Sequence, residues 1–256
     1  MPTDRRRLIA GVAASAAGLA LGGCDQVSQS PKVVSVLEAA EGLSRRAQRA
    51  LIGRTALARE FPASAISRDF KANGTITPDS EDYQRLAASD FADWTLEIGG
   101  LVERPMKLSL ADLRAAPSRS QITRHDCVEG WSCIARWTGA KLGALLERAG
   151  VKPAARYIAF FCADTLELTL DGTGDYYETI DLVDAFHPQT ILAYDMNDRP
   201  LPVAHGAPLR LRVERQLGYK MAKYVMRIEA VDSFARLGRG RGGYWEDRGY
   251  EWYAGI

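Results

Sequence analysis

The run Arg124-His125-Asp126-Cys127-Val128-Glu129-Gly130-Trp131-Ser132-Cys133 gathers a thiol, an imidazole, two carboxylates and a guanidinium within one short segment. Residues i and i+2 share one face of a strand, so Cys127 and His125 have the spacing of a thiolate nucleophile and its base. The same thiolate is equally suited to be a soft ligand for a transition metal. A buried cysteine acting as a small hydrophobe is the third reading. Spacing alone leaves all three open.

A second constellation is HGAPLRLRVERQLGYKMAKYV, from His205 to Val225. Arg210, Lys220 and Lys223 surround a glycine turn at Gly218, where a guanidinium, an ammonium and free backbone N–H groups would hold a phosphate. The competing reading is a solvated cationic strand face, and Arg212 and Arg215 are expected to be part of one. Phe70 to Thr75 contributes an Asn73-Gly74 turn in a long loop, by itself a turn signal before a ligand site.

These residues need elements to position them. The spacing predicts a helix within Val36 to Arg59, a Pro-, Ser- and Gly-rich loop from Phe61 to Tyr83, and a strand over Trp94 to Ile98. A short helix over Leu108 to Ala115 is open to capping by Ser109 or Asp112, and Pro117 closes it. A strand over Ser120 to Cys127 leads into the cysteine motif, and Trp137 to Ala149 has helical spacing. Further strands are expected at Tyr157 to Cys162, Leu166 to Leu170, Thr190 to Asp195, Leu209 to Glu214 and Tyr224 to Asp232, with a short helix over Ile180 to Phe186. The ending GRGRGGYWEDRGYEWYAGI reads as an irregular tail rich in Gly, Arg and aromatics. Strands outnumber brief helices, which argues for an α+β fold with mixed sheets. GxGxxG, GxxxxGK[ST] and GxSxG are all absent, so nucleotide cradles and the serine-hydrolase elbow have no support.

With 256 residues, 46% hydrophobic and 25% charged, the chain can bury a substantial core, and a net charge of +1 gives no global field to recruit nucleic acid. Residues 1–24 read as an export signal: Arg5 to Arg7 precede an apolar run from Leu8 to Leu21 that is too short to span a membrane. Asp4-Arg5-Arg6-Arg7-Leu8-Ile9 resembles a twin-arginine signal, a route associated with proteins that fold, and often load a cofactor, before they cross the membrane. Leu21-Gly22-Gly23-Cys24 resembles a lipoprotein box that would anchor the mature chain outside the cytoplasm through Cys24. An ordinary cleaved signal is the alternative. Residues 25–60 then form a tether and helix, and 61–256 the main domain. Removing Cys24 leaves Cys127, Cys133 and Cys162, an odd number for an oxidising compartment, so at least one thiol is free or ligated. No CxxC occurs and only three histidines are present, which argues against structural zinc.

Taken together, Cys127 in DCVEGWS, the stretch HPQTILAYDMNDRPLPVAHGAPLRL and the closing GYKMAKYV resemble the molybdopterin-binding domain of the sulfite oxidase family, over about residues 64–234. Within it, the small exported bacterial branch that includes a periplasmic methionine sulfoxide reductase is most similar. The resemblance implies a molybdenum–molybdopterin cofactor with Cys127 as metal ligand and His205 as a pterin contact. It implies Arg210 at the cofactor's phosphate, with Met221, Ala222 and Lys223 wrapping that end, and Asn73 as a loop contact. Cys162 falls where the sulfoxide-reducing branch has a threonine contact.

Arg124, Glu129 and Trp131, with Arg136 further along, are the candidates for the substrate pocket. Core packing for Trp131 and a surface role for the arginines are the competing readings. The reaction implied is oxygen-atom transfer on a small oxo-anion or sulfoxide. Sulfite-oxidising relatives grip a dianion with several arginines, and the sulfoxide-reducing branch carries the CVE-type sequence seen here. No haem-attachment CxxCH occurs, so the electron partner expected is a separate protein, either a cytochrome or a quinone-linked membrane subunit. A metal-free thiol enzyme using Cys127 and His125, or a lipid-anchored binding domain that has lost the cofactor, are the alternatives.

Overall fold

A computed structural model of the chain describes residues 30–256. The twin-arginine run and Cys24 lie outside the described residues. The chain divides into two compact units between Ile52 and Gly53. The first, where described, is helix α1 (Pro31–Ile52), which begins earlier and ends earlier than the apolar spacing indicates. Among the described residues, no helix is long and apolar enough to cross a membrane.

The second unit, Gly53–Ile256, holds the remaining elements. In chain order these are α2 (Glu81–Ala88), β1 (Thr95–Gly100), β2 (Met106–Ser109), α3 (Leu110–Ala115), β3 (Ser118–Asp126), β4 (Ser132–Lys141) and α4 (Leu142–Ala149). They are followed by β5 (Tyr157–Thr165), β6 (Asp175–Asp181), α5 (Leu182–Ala185), β7 (Ile191–Met196), β8 (Arg199–Pro200), β9 (Arg210–Arg212) and β10 (Val225–Val231). One sheet has the order β2-β1-β10-β5-β6, the other β3-β4-β7-β8 with β9 also on β7. Only β1 and β10 pair in parallel, so the first sheet is mixed. This is the α+β class with mixed sheets and short helices that the sequence indicates.

The larger core packs Trp94, Leu96, Ile98, Leu113, Leu145, Leu146, Ile158, Phe160 and Ile228 around the first sheet. A smaller core on the second sheet is built on Trp137 with Ile191, Ala193 and Met196, and Phe70 packs against it. Phe70 stands edge-on to both Trp137 and His205, each at 5.4 Å, which ties the Asn73 loop to the cofactor-side candidates. Helix α3 is capped as its sequence suggests: the Ser109 hydroxyl accepts from the Asp112 N–H while the Asp112 carboxylate accepts from the Ser109 N–H.

Several local readings need correction. Helical spacing at Trp137 does not start a helix, because Trp137–Lys141 is claimed on one side by β3 and on the other by β7. The helix begins at Leu142, where Leu142, Leu145, Leu146 and Ala149 fall on one buried face. Leu166–Leu170 alternates but finds no partner strand, and Leu168 and Leu170 project fully into solvent. The strand lies instead at β6, whose buried Glu178 and Thr179 break the apolar pattern. Ile180 and Asp181 end β6, so the short helix is confined to Leu182–Ala185. In Leu209–Glu214 only Arg210–Arg212 joins a ladder. The long loop ends at Ser80, whose hydroxyl caps α2.

Candidate functional site

The turn between β3 and β4 carries the cysteine motif. The Trp131 carbonyl accepts from the Cys127 N–H at 3.0 Å, and the Cys127 carbonyl accepts from the Gly130 N–H at 3.0 Å. This closed turn points Cys127 into a cavity of about 260 Å³. Burial pushes the Cys127 thiol above its ordinary range, partly offset by the backbone hydrogen bond at Glu129. Glu129 lines the same wall and accepts from Trp131 Nε1 at 2.9 Å and from Lys71 Nζ at 3.4 Å. Those two donors hold its exposed carboxyl below the usual carboxylate range.

The facing wall comes from the Asn73–Thr75 loop, Met221 and Lys223. Lys223 Nζ donates to the carbonyls of Asn73 at 2.7 Å and Ala204 at 3.3 Å, and to that of Thr75. Burial, with Arg210 nearby, pushes this ammonium down to about 7. Asp164, at the end of β5, also lines the cavity; burial pushes its carboxyl up to about 6, and its Oδ1 has no hydrogen-bond partner. Tyr176 and Tyr219 continue the wall, and the chain's C-terminal tail adds Trp245 and Tyr250.

Beside this cavity is a group of buried cations. Gly206, at φ 109°, lets the backbone pass so close that an added Cβ would sit 2.9 Å from Lys223 and 3.2 Å from Arg210. Arg210 is 1% exposed and donates to the His205 carbonyl at 2.9 Å, but its Nε and Nη2 have no partner. Burial, reinforced by the neighbouring Arg212, pushes the Arg210 guanidinium down to about 9. His205 falls to about 4 for the same kind of reason, burial first and Arg210 second. A charged guanidinium out of water and without a counter-anion is costly, so this pocket is built for an anion that the chain does not itself supply.

The other basic residues of the segment are already spoken for. Arg212, read as a solvated cation, is 0% exposed and forks onto Glu214 at 2.9 and 2.7 Å. Arg215, read the same way, is buried against Asp184 at 3.0 Å. Both were misread because the far face of β9 and its flanks is covered rather than wet. Lys220, a phosphate candidate by spacing, is 0% exposed and bridges Glu178 and Glu246, each at 2.5 Å. Its charge is consumed inside the protein.

The pairing of His125 with Cys127 does not form. His125 is fully buried, with Nδ1 3.1 Å from Arg212 Nη1 and 3.4 Å from Met221 Sδ. Its other edge presses on Gly218, where any Cβ would collide with the imidazole. Burial and the surrounding Arg212, Arg210 and Lys223 push His125 well below its ordinary value. Cys127 leaves the strand register at the turn, which is why the i, i+2 rule fails.

Of the residues singled out from sequence, the cavity brings together Asn73, Cys127, Glu129, Met221 and Lys223. His205 and Arg210 sit beside Lys223 without lining it. Ala222 is buried in the main core. Trp131 is neither in the core nor on the cavity wall; it orients Glu129. Arg124 pairs with Asp126 at 2.8 Å and Arg136 with Asp198 at 3.5 Å, both away from the cavity. Burial, then Asp164 and Glu178, push the Cys162 thiol well above its ordinary range. Cys127, Cys133 and Cys162 are all free.

Sequence reading missed Asp164, Tyr176, Trp245 and Tyr250. Asp164 lies two residues beyond Cys162 on the same strand, and the aromatic tail was visible only as composition. Among the described residues, no group of three or more His, Cys, Asp or Glu is placed to hold a metal ion. A metal at Cys127 therefore needs its remaining ligands from a cofactor.

Residues 83–236 match the family model described as the oxidoreductase molybdopterin binding domain. The chain belongs to this family of molybdopterin-binding oxidoreductases, the sulfite oxidase family. It is 36% identical to the putative protein-methionine-sulfoxide reductase subunit YedZ1 of Azospira oryzae, over 92% of this chain and 81% of that protein. It is 32% identical to the protein-methionine-sulfoxide reductase catalytic subunit MsrP of Xanthomonas axonopodis pv. citri, over 90% of this chain and 70% of that one. Among solved structures, the sulfane dehydrogenase SoxCD from Paracoccus pantotrophus aligns with a TM-score of 0.49 and 24% identity, over 56% of this chain and 39% of that one. The residues present fit a molybdopterin: a soft sulfur faces the cavity at Cys127, and Arg210 keeps two unpartnered buried donors close by.

Proposed function

We propose that this chain reduces a neutral sulfoxide of the methionine type by oxygen-atom transfer at a molybdenum–molybdopterin centre. In this reading Cys127 is the metal ligand, losing its thiol proton when the metal binds. Arg210 and Lys223 hold the anionic end of the cofactor, with Asn73, His205 and the Met221–Lys223 turn around it and Cys162 behind. When bound, the cofactor supplies the centre that accepts the sulfoxide oxygen and takes up two electrons from a separate redox protein.

The observation that carries the choice of substrate is the charge of the cavity wall. It has two carboxyl groups, Glu129 and Asp164, one lysine, Lys223, and no arginine. Arg124 and Arg136, the candidates for gripping an oxo-anion, are ion-paired elsewhere. Glu129 stays ionised, since Trp131 and Lys71 both donate to it. Neither carboxyl gives a dianionic sulfite a cation to bind, and the ionised Glu129 repels it, though solvent exposure and Lys71 screen that repulsion. A neutral sulfoxide meets no such penalty. Its oxygen needs two protons to leave as water, and Asp164, held near pH 6 with a free oxygen on the wall, is positioned to supply one.

The similarity to chains named as protein-methionine-sulfoxide reductase subunits supports the same substrate class. Export by a twin-arginine signal, a periplasmic location and anchoring through a lipid on Cys24 complete the reading, with residues 1–24 as signal, 25–60 as tether and helix, and 61–256 as the oxidoreductase domain.

The test is a pair of assays on one cofactor-loaded preparation. Reduction of a methionine-sulfoxide peptide by a reduced viologen dye should clearly exceed ferricyanide-linked sulfite oxidation in kcat/KM. Equal or reversed preference would overturn the sulfoxide assignment.

A further inference from the structure

We infer that the C-terminal strap, residues 243–255, is the specificity wall of this cavity, and that Trp245 and Tyr250 receive the apolar, sulfur-bearing end of the substrate. The inference deepens the sulfoxide reading and rests on it.

Both rings line the cavity that Cys127 faces. They stack on each other at 5.4 Å and 30°, and Tyr250 stands edge-on to Tyr219 at 5.1 Å and 87°. Tyr244, buried behind them, meets Trp245 edge-on at 5.2 Å and stacks on Tyr176 at 5.7 Å, so the four rings that line the cavity, Tyr176, Tyr219, Trp245 and Tyr250, belong to one aromatic cluster. It is not merely core: Tyr250 is 39% exposed and Trp245 half-buried. Thioether and sulfoxide methyl groups are polarisable and weakly hydrated, and aromatic faces and edges attract them. An oxo-anion gains nothing from the same surface.

The strap is held rigidly enough to act as a wall. Glu246 pairs with buried Lys220, which also holds Glu178, and Gly243 bridges to Glu178 through the backbone. The Trp245 carbonyl accepts from the Tyr250 N–H at 3.0 Å, closing the turn that brings the two rings together. Arg248 lies 3.5 Å over the Tyr244 ring and pairs with Glu167 at 2.7 Å, clamping the strap to the β5–β6 connection. Tyr219 Oη donates to the Glu251 carbonyl at 2.6 Å, and the Ala254 carbonyl accepts from the Leu217 N–H at 2.9 Å. Every restraint is internal to the chain. The aromatic surface therefore stands ready before any ligand arrives.

The experiment uses the full, cofactor-loaded chain with Trp245→Leu, Tyr250→Leu and Tyr250→Phe. Two quantities are measured: KM and kcat for the methionine-sulfoxide peptide, and Kd for the corresponding methionine peptide by calorimetry. Leucine at either position should raise both KM and Kd about tenfold while kcat stays within about twofold, because contacts of this kind act on binding. Tyr250→Phe, which keeps the ring, should hold both KM and Kd below those of Tyr250→Leu, since the ring and not the hydroxyl is the recognition element. A Tyr250→Leu protein with unchanged Kd and KM would overturn the wall, and this exposed position decides the matter even if Trp245→Leu loses its cofactor. Binding of the methionine peptide that depends on Tyr250, in a protein that turns over no sulfoxide, would support the wall and sink the functional reading alone.

Discussion

Cys127→Ser should leave the fold intact and lower sulfoxide-reducing turnover by at least about 10³-fold, because a hard hydroxyl replaces the soft thiolate that a redox metal prefers. The side chain sits at a solvent-edged turn whose two hydrogen bonds are both backbone, so serine keeps the turn. Circular dichroism and the thermal midpoint should match the parent, while steady-state turnover collapses. Turnover within tenfold of the parent would remove Cys127 from the chemistry. A metal-free thiol mechanism would also lose activity on this substitution, but it requires a base at Cys127. The imidazole two residues before it, His125, is instead buried against Gly218, Met221 and Arg212.

Lys220→Met should be the most destabilising single substitution, at about 3–5 kcal/mol, since it strands two buried carboxylates. Glu178 and Glu246 share the Lys220 ammonium, and all three side chains are at most 1% exposed. Burial and the neighbouring Glu246 push the Glu178 carboxyl up while Lys220 draws it down, so without the ammonium the two carboxyls must either repel each other or take up a proton. Urea unfolding of the parent and variant measures the difference directly. A loss below about 1 kcal/mol would mean that the triad is solvated in solution. Because Glu246 lies in the turn between Trp245 and Tyr250, the variant should also weaken substrate binding before it unfolds.

What could be read from sequence followed the reach of each signal. Cys127 and Lys223 could be singled out, and do line one cavity, because each lies in a contiguous motif whose chemistry is local. The capping of α3 was legible for the same reason: Ser109 and Asp112 are three residues apart and satisfy each other. Alternation failed where burial is polar. Glu178 looks like a surface residue until Lys220, 42 positions away, is folded against it. Arg212 alternates as though it faced water, yet Glu214 and His125 enclose it.

At Leu168 and Leu170 the reverse happened, and an apolar pattern had no partner strand to bury it. The aromatic wall depends on a tail with no periodicity folding back across the opening, which no local rule encodes. Asp164 escaped notice because a carboxylate at a strand end is ordinary until the cavity around it is known.

Natively exported protein, purified without added metal and assayed for molybdenum by mass spectrometry alongside Arg210→Ala, tests the central claim most directly. About one molybdenum atom per chain is expected in the parent, with a clear fall in the variant, because a charge-assisted contact of about 1.5–3 kcal/mol is lost at the cofactor's anionic end. A fully folded, natively exported parent without molybdenum, or a variant that retains all of it, would contradict the account.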